Sequence, residues 1–301
     1  MRTIGFVGLG AMGSRIAGRL LDAGHELYGT DRTESKAQPL SERGLRWLDS
    51  PREVAAAADV VFSMVTDDAA VGAITSGPDG IIAGLEDGQV YVDMSTISPR
   101  TSREVAGQVR AVGAEMLDAP VSGSIPQAES GMLAIFVGGS EEAFVSVEPV
   151  LRKLGRAVTR IGPNGQGLLI KLAVNISLAV QTLAFSEGLL LAERGGIDPH
   201  LAAEVMSASS IGSPMLKARV PLLINLPQQA WFDVTMMHKD IRLALETGEE
   251  LAIPLPSAAV ADEMLTRARE LGYAHRDLAA LHEVLAKSPA GTPRSSSPRA
   301  K

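Results

Sequence analysis

Thr3-Ile4-Gly5-Phe6-Val7-Gly8-Leu9-Gly10-Ala11-Met12-Gly13 places an apolar, β-favouring run directly before a Gly-x-Gly-x-x-Gly turn, and a helical stretch to about Ala23 follows. Such glycine spacing alone is a weak signal. Between a strand and a helix it is a strong one, because the tight turn aims backbone N–H groups and the positive end of the helix dipole at a pyrophosphate. Gly8, Leu9, Gly10, Ala11, Met12 and Gly13 are therefore candidate dinucleotide-binding residues.

Downstream, short apolar runs keep alternating with helical stretches. Strands are predicted at 3–7, 26–30, 60–65, 90–94, 114–118, 133–137 and 157–161. Helix starts are marked by Ser50-Pro51 with Glu53, by Ser98-Pro99 and by Ser140-Glu141, where a capping hydroxyl precedes a residue suited to the first turn. The alternation implies a mostly parallel sheet covered on both faces, a Rossmann-type doubly wound α/β domain over residues 1–163. Ligands of such sheets bind outside the carboxyl ends of the strands. The second strand ends at Asp31-Arg32, 18 residues past Gly13. An acid there accepts from an adenosine ribose and repels a 2′-phosphate, whereas an arginine welcomes one. The cofactor is accordingly NAD or NADP, with Asp31 tilting the balance toward NAD. Other strand ends bring Val65, Thr66 and Thr96 to the same crevice, Thr96 toward the nicotinamide end.

After Gly162-Pro163-Asn164-Gly165 the strand pattern stops. Helical stretches at about 167–194, 214–226, 232–251, 257–271 and 277–286, with another starting at Asp198-Pro199, predict an all-α domain over residues 164–287. Residues 288–301, rich in Ser, Pro, Arg and Ala, read as a disordered tail. In the first of these helices Gly167, Lys171 and Asn175 stand four apart and share one face. An unpaired ammonium is costly among apolar neighbours, so Lys171 is expected to have a depressed pKa, suited to acid/base chemistry near neutral pH. On spacing alone, a lysine snorkelling from the helix start beside an asparagine at a helix–helix contact reads equally well.

Composition narrows the function classes. The 301 residues carry a net charge of −7, and only 4% are aromatic, so neither the basic surface nor the stacking platform of a nucleic-acid binder is present. With no cysteine there is no disulfide, thiolate metal site or cysteine nucleophile. The five histidines are scattered, and no metal site is expected. Glycines interrupt the N-terminal apolar run, unlike a signal peptide, and the longest charge-free helical stretch, Leu172 to Ser186, is shorter than a membrane span. The expectation is a soluble cytoplasmic protein with no membrane partner. The long apolar helix suggests a homodimer or homotetramer.

Four blocks, in order, resemble the β-hydroxyacid dehydrogenase family, the group of 3-hydroxyisobutyrate dehydrogenase and tartronate semialdehyde reductase. They are Gly5 to Gly13; Asp118-Ala119-Pro120-Val121-Ser122-Gly123 with Gly131-Met132-Leu133; Gly165 to Asn175; and His238-Lys239-Asp240 after Phe232. The resemblance implies that Lys171 is the catalytic acid/base. It further implies that Ser122, the Gly123 backbone and Asn175 hold the carboxylate and hydroxyl of a small 3-hydroxy acid resembling 3-hydroxyisobutyrate. Thr96 and Lys239 would meet the cofactor, Lys239 lying close to substrate as well. Ser124 stands where family members often have a second glycine, and Ile125-Pro126-Gln127 also departs from the commonest pattern of this substrate-facing loop. Two other readings share the fold: an imine reductase, which generally lacks the lysine, and a non-catalytic oligomeric scaffold, which lacks it too.

Overall fold

A computed structural model describes residues 2–287 of the protein, so the expected tail at 288–301 lies outside the described residues. Nine strands form one sheet: β1 (Thr3–Val7), β2 (Glu26–Thr30), β3 (Arg46–Trp47), β4 (Val60–Ser63), β5 (Val90–Asp93), β6 (Glu115–Asp118), β7 (Val121–Ser122), β8 (Leu133–Gly138) and β9 (Gly155–Gly162). Their order is β3-β2-β1-β4-β5-β6-β8-β7, with β9 also on β8. The strands β1 to β6 pair in parallel, and β8 runs antiparallel to β6. The order reverses between β1 and β4, the switch point at which a doubly wound sheet opens a crevice.

Alternate side chains fill two cores, one on each face. Ile4, Phe6, Val60, Phe62 and Val92 pack with Ile16, Ala17 and Leu20 of the helix Gly13–Asp22. Val7, Val61, Tyr91 and Met116 pack on the other face with Val105 and Val109 of the helix Pro99–Ala111, and with Leu168. Strands this fully buried need apolar residues at successive positions, which explains their β-branched runs. The expected caps form: Ser50, Ser98, Ser140 and Asp198 each accept a backbone N–H from the first helical turn.

The change from strands to helices comes where expected, β9 ending at Gly162 and the long helix Gln166–Arg194 beginning four residues later. By packing, the chain forms two units, one of which takes in parts of both expected segments, 1–163 and 164–287. One unit comprises the chain up to Ile176 together with Lys239–Leu255; the other comprises Ser177–His238 and the chain from Pro256. The cause is local. Leu172 and Ile176 at the start of the long helix pack on Leu243 and Ala244, which draws part of the helix Val234–Glu250 into the unit containing the sheet. In the helical unit Phe185 packs with Leu216 and Leu223, and Leu189 packs with Ala202 and Ala203. There Arg219 and Asp277 form a buried ion pair at 3.0 Å.

By length and composition Gln166–Arg194 could cross a membrane. It also supplies buried residues to the cores of both units, among them Leu168, Leu172, Phe185 and Leu189.

Candidate functional site

The glycine turn has the geometry a phosphate needs. Gly8 sits at φ +96, and a side chain there would meet the Met64 carbonyl at 2.5 Å. A Cβ on Gly13 would run into the Gly8 carbonyl, so the helix can start this close to β1 only with glycine. Around Gly10 there is open space. Unlike the capped helices above, the helix Gly13–Asp22 has no side-chain cap, and its first turn holds no acid. No side chain of the helix start therefore competes with an anion for the positive end of its dipole. An open cavity of about 740 Å³ runs from Gly10 and Ala11 past Lys36 to Arg15 and Arg43.

Asp31 is nearly enclosed, its side chain 9% exposed. One carboxylate oxygen accepts from the Leu9 amide at 2.8 Å; the other accepts from the Thr33 amide at 2.9 Å and from Lys36 Nζ at 3.2 Å. The carboxylate thus ties the end of β2 to the glycine turn, and its charge is matched by Lys36. Arg32 beside it is exposed.

Lys171 is buried in the first turns of the long helix. Its Nζ donates to Asn175 Oδ1 at 3.1 Å, as the four-residue spacing requires, and Asn175 Nδ2 donates to Asp240 Oδ2 at 2.5 Å. Lys239 Nζ lies 2.8 Å from Asp240 Oδ1 and donates to the Thr96 carbonyl. Thr96, Lys171, Asn175 and Lys239 are thus joined through Asp240, which is 2% exposed. Burial pushes the Lys171 ammonium below its ordinary pKa; Asp240 opposes this shift and Lys239 adds to it.

The helix start is fastened from below. Buried Asp118, at the end of β6, accepts from the Gly165 amide at 2.7 Å and the Leu168 amide at 3.2 Å. A Cβ on Gly167 would meet the Phe136 carbonyl at 2.5 Å, so the residue expected to permit a close approach permits that of β8.

Ser122 ends β7 and Gly123 follows at φ +133; neither is hydrogen-bonded to the lysine network among the described residues. The unusual Ser124 caps the helix Ile125–Ser130, its amide and hydroxyl both donating to Gln127 Oε1, at 3.0 and 2.9 Å. The departure at Ser124-Ile125-Pro126-Gln127 is thus a helix start. The Val65 amide donates to Ser95 Oγ at 2.9 Å. Thr66 is exposed and donates to Asp67, the cap of the helix Asp68–Thr75.

The roles of Asp240, Asp118 and Lys36 become visible only in the structure. Asp240 had one usable signal, a carboxylate next to Lys239 in a run of Met236, Met237 and Ile241. Its partner Asn175 is 65 residues away, beyond any local pattern.

A family profile described as the NAD binding domain of 6-phosphogluconate dehydrogenase matches residues 3–162. A second, described as the NAD-binding region of NADP-dependent 3-hydroxyisobutyrate dehydrogenase, matches residues 165–285. Glyoxylate/succinic semialdehyde reductase 2 of Arabidopsis thaliana is 35% identical over 94% of this chain and 79% of its own length. The 2-hydroxy-3-oxopropionate reductase of Escherichia coli is 35% identical over 94% of this chain and 96% of its own. The structure of Mycobacterium tuberculosis 3-hydroxyisobutyrate dehydrogenase with L-serine superposes with a TM-score of 0.85 at 28% identity, covering 95% of this chain and 99% of that one.

Proposed function

The chain belongs to the β-hydroxyacid dehydrogenase family, NAD(P)-dependent oxidoreductases that act on CH–OH groups, and we propose that it interconverts a short 3-hydroxy acid and its semialdehyde with Lys171 as general acid/base. The observation that carries this reading is the buried Lys171–Asn175–Asp240 network, whose lysine is pushed toward its neutral form. The nicotinamide, when bound, accepts or returns the hydride of the carbinol carbon. In the oxidative direction neutral Lys171 Nζ takes the proton of the substrate hydroxyl as the C–O bond becomes a carbonyl; in the reductive direction the ammonium returns it. Asp240 stabilises the ammonium so formed, and Asn175 holds Nζ in line. The Ser122 hydroxyl and the Gly123 amide fix the substrate carboxylate.

The uncapped helix start at Gly10–Gly13 would hold the pyrophosphate of the dinucleotide, and Val65, Thr66 and Thr96 at the strand ends would meet its nicotinamide half. For the adenosine half we propose a preference for NADP, against the tilt that Asp31 alone suggests. The Asp31 carboxylate is enclosed and paired with Lys36, so little of its charge is free to repel a 2′-phosphate, while Lys36 and Arg32 offer positive charge beside it. Exposed apolar side chains on the long helix, Ile170 and Leu191, support a homo-oligomer.

The test follows nicotinamide reduction by absorbance with NAD and NADP in parallel. The panel holds 3-hydroxyisobutyrate, 3-hydroxypropionate, glycerate, 4-hydroxybutyrate and serine. Turnover of a 3-hydroxy acid supports the proposal; cofactor binding with no turnover of any member overturns it.

A further inference from the structure

Ser63, Asp93 and Asp118 stand in register at the carboxyl ends of β4, β5 and β6. All three are buried on one face of the sheet, the two acids on neighbouring strands. Two buried carboxylates this close do not both ionise cheaply. Their surroundings divide the roles. Asp118 accepts two backbone amides at the start of a long helix, with the Ser102 hydroxyl at 3.4 Å. Asp93 is approached mainly by hydroxyls. Its Oδ1 accepts from Ser63 Oγ at 2.7 Å, Ser95 Oγ at 2.6 Å and the Ser95 amide at 3.2 Å. Its Oδ2 is buried with no hydrogen-bond partner among the described residues. The donors form two chains that end on Asp93: Tyr91 Oη to Ser63 Oγ at 2.7 Å, and the Val65 amide to Ser95 Oγ at 2.9 Å.

The two loops that leave β4 and β5 therefore share one buried fixed point. The first carries Val65 and Thr66. The second carries Thr96, whose carbonyl accepts from Lys239. Loops at the carboxyl ends of parallel strands are where ligands of this fold sit. A buried acceptor that sets both has a task beyond core packing, since an apolar side chain would fill the same volume without the cost of an unpaired oxygen.

We propose that Asp93 is a positioning residue for the nicotinamide cofactor: through Ser95 it fixes the Val65 amide and the Thr96 loop in the arrangement that receives the dinucleotide. Its part is that of an acceptor at Oδ1, which an amide oxygen can also fill. In Asp93→Asn the amide oxygen would take the same three bonds, and the amide nitrogen would stand where Oδ2 now has no partner. This inference rests on the reading that the dinucleotide occupies the strand ends of this sheet.

The test is calorimetric titration of the full-length protein with NADH and NADPH, alongside its thermal unfolding, for wild type, Asp93→Asn, Asp93→Ala and Ser95→Ala. Asp93→Asn is expected within about threefold of wild-type affinity, and Asp93→Ala about tenfold or more weaker, the loss of one or two buried hydrogen bonds. Ser95→Ala removes the hydroxyl that joins the Val65 amide to Asp93 and leaves the Ser95 amide bond to Asp93 in place; it is expected to weaken binding without matching loss of melting temperature. Turnover at saturating cofactor is expected to change far less than cofactor KM. Asp93→Asn as weak as Asp93→Ala would overturn the acceptor role, and wild-type affinity in Asp93→Ala would overturn the positioning role. If Asp93→Ala does not fold, wild-type affinity in Ser95→Ala overturns the proposal by itself. Wild-type protein that binds neither nucleotide would instead overturn the cofactor reading, and this proposal with it.

Discussion

A lysine buried among apolar side chains loses its proton more readily than one in water, and at Lys171 Asp240 opposes that drift while Lys239 reinforces it. The two neighbours therefore make opposite predictions. In the oxidative direction turnover rises with pH as Lys171 becomes neutral. Asp240→Asn removes the charge that favours the ammonium and moves this rising limb to lower pH; Lys239→Met moves it to higher pH. Profiles of kcat/KM against pH for the three proteins check this, and shifts in the same direction would show that Lys171 is not the titrating base. Removing the proposed base, Lys171→Ala, is expected to lower turnover by about 10² to 10⁴-fold with cofactor affinity little changed. At the other end of the site, Lys36→Ala frees the Asp31 charge that Lys36 now matches. It should lower the ratio of NADP to NAD efficiency by roughly fivefold, the worth of a partly exposed charge-assisted bond. An unchanged ratio would return the preference to Asp31.

At the scale of elements, the long helix owes its placement to contacts at its first turns. Gly167 touches the β8 backbone, and Asp118 holds the Gly165 and Leu168 amides. Alanine is the better helix former by about 1 kcal/mol, so Gly167→Ala would stabilise a free helix. Here its methyl would overlap the Phe136 carbonyl, a backbone atom that cannot rotate away. The expected net effect is a loss of about 1–3 kcal/mol in denaturant unfolding, with lower turnover because Lys171 shares that face. A more stable variant would show that the helix start does not bear on the sheet so closely. Elements of this kind were largely legible in the sequence, since caps such as Ser98 and Asp198 and fully apolar strands are local signals. The two-residue strands β3 and β7 were not, because two residues show no periodicity. The cap at Ser124 carries the same local signal, a serine three residues before Gln127 with a proline in the first turn.

At the scale of the molecule, the buried lysine network joins segments around residues 96, 171–175 and 239–240, and only tertiary packing brings them together. This is why Lys171 and Asn175 could be paired from their spacing while Asp240 could not. The same packing places Lys239–Leu255 with the sheet. Burying Lys171 also has a consequence for folding. The pKa of this lysine is lowered in the native state from its ordinary 10.5. Between the lowered value and 10.5 the unfolded chain holds a proton there that the native protein does not, so stability rises with pH across that window. Below the window both states are protonated and the cost of the buried charge is constant; above it both are neutral. Lys171→Met removes the linkage. Whatever constant offset the substitution adds, the stability of wild type minus that of the variant should climb with pH across the window, by at most about 1.4 kcal/mol per pH unit. Urea unfolding of both proteins over a pH series measures that difference directly. A flat difference would mean that Lys171 titrates alike in folded and unfolded chains, and the buried-base reading of the site would lose its physical ground.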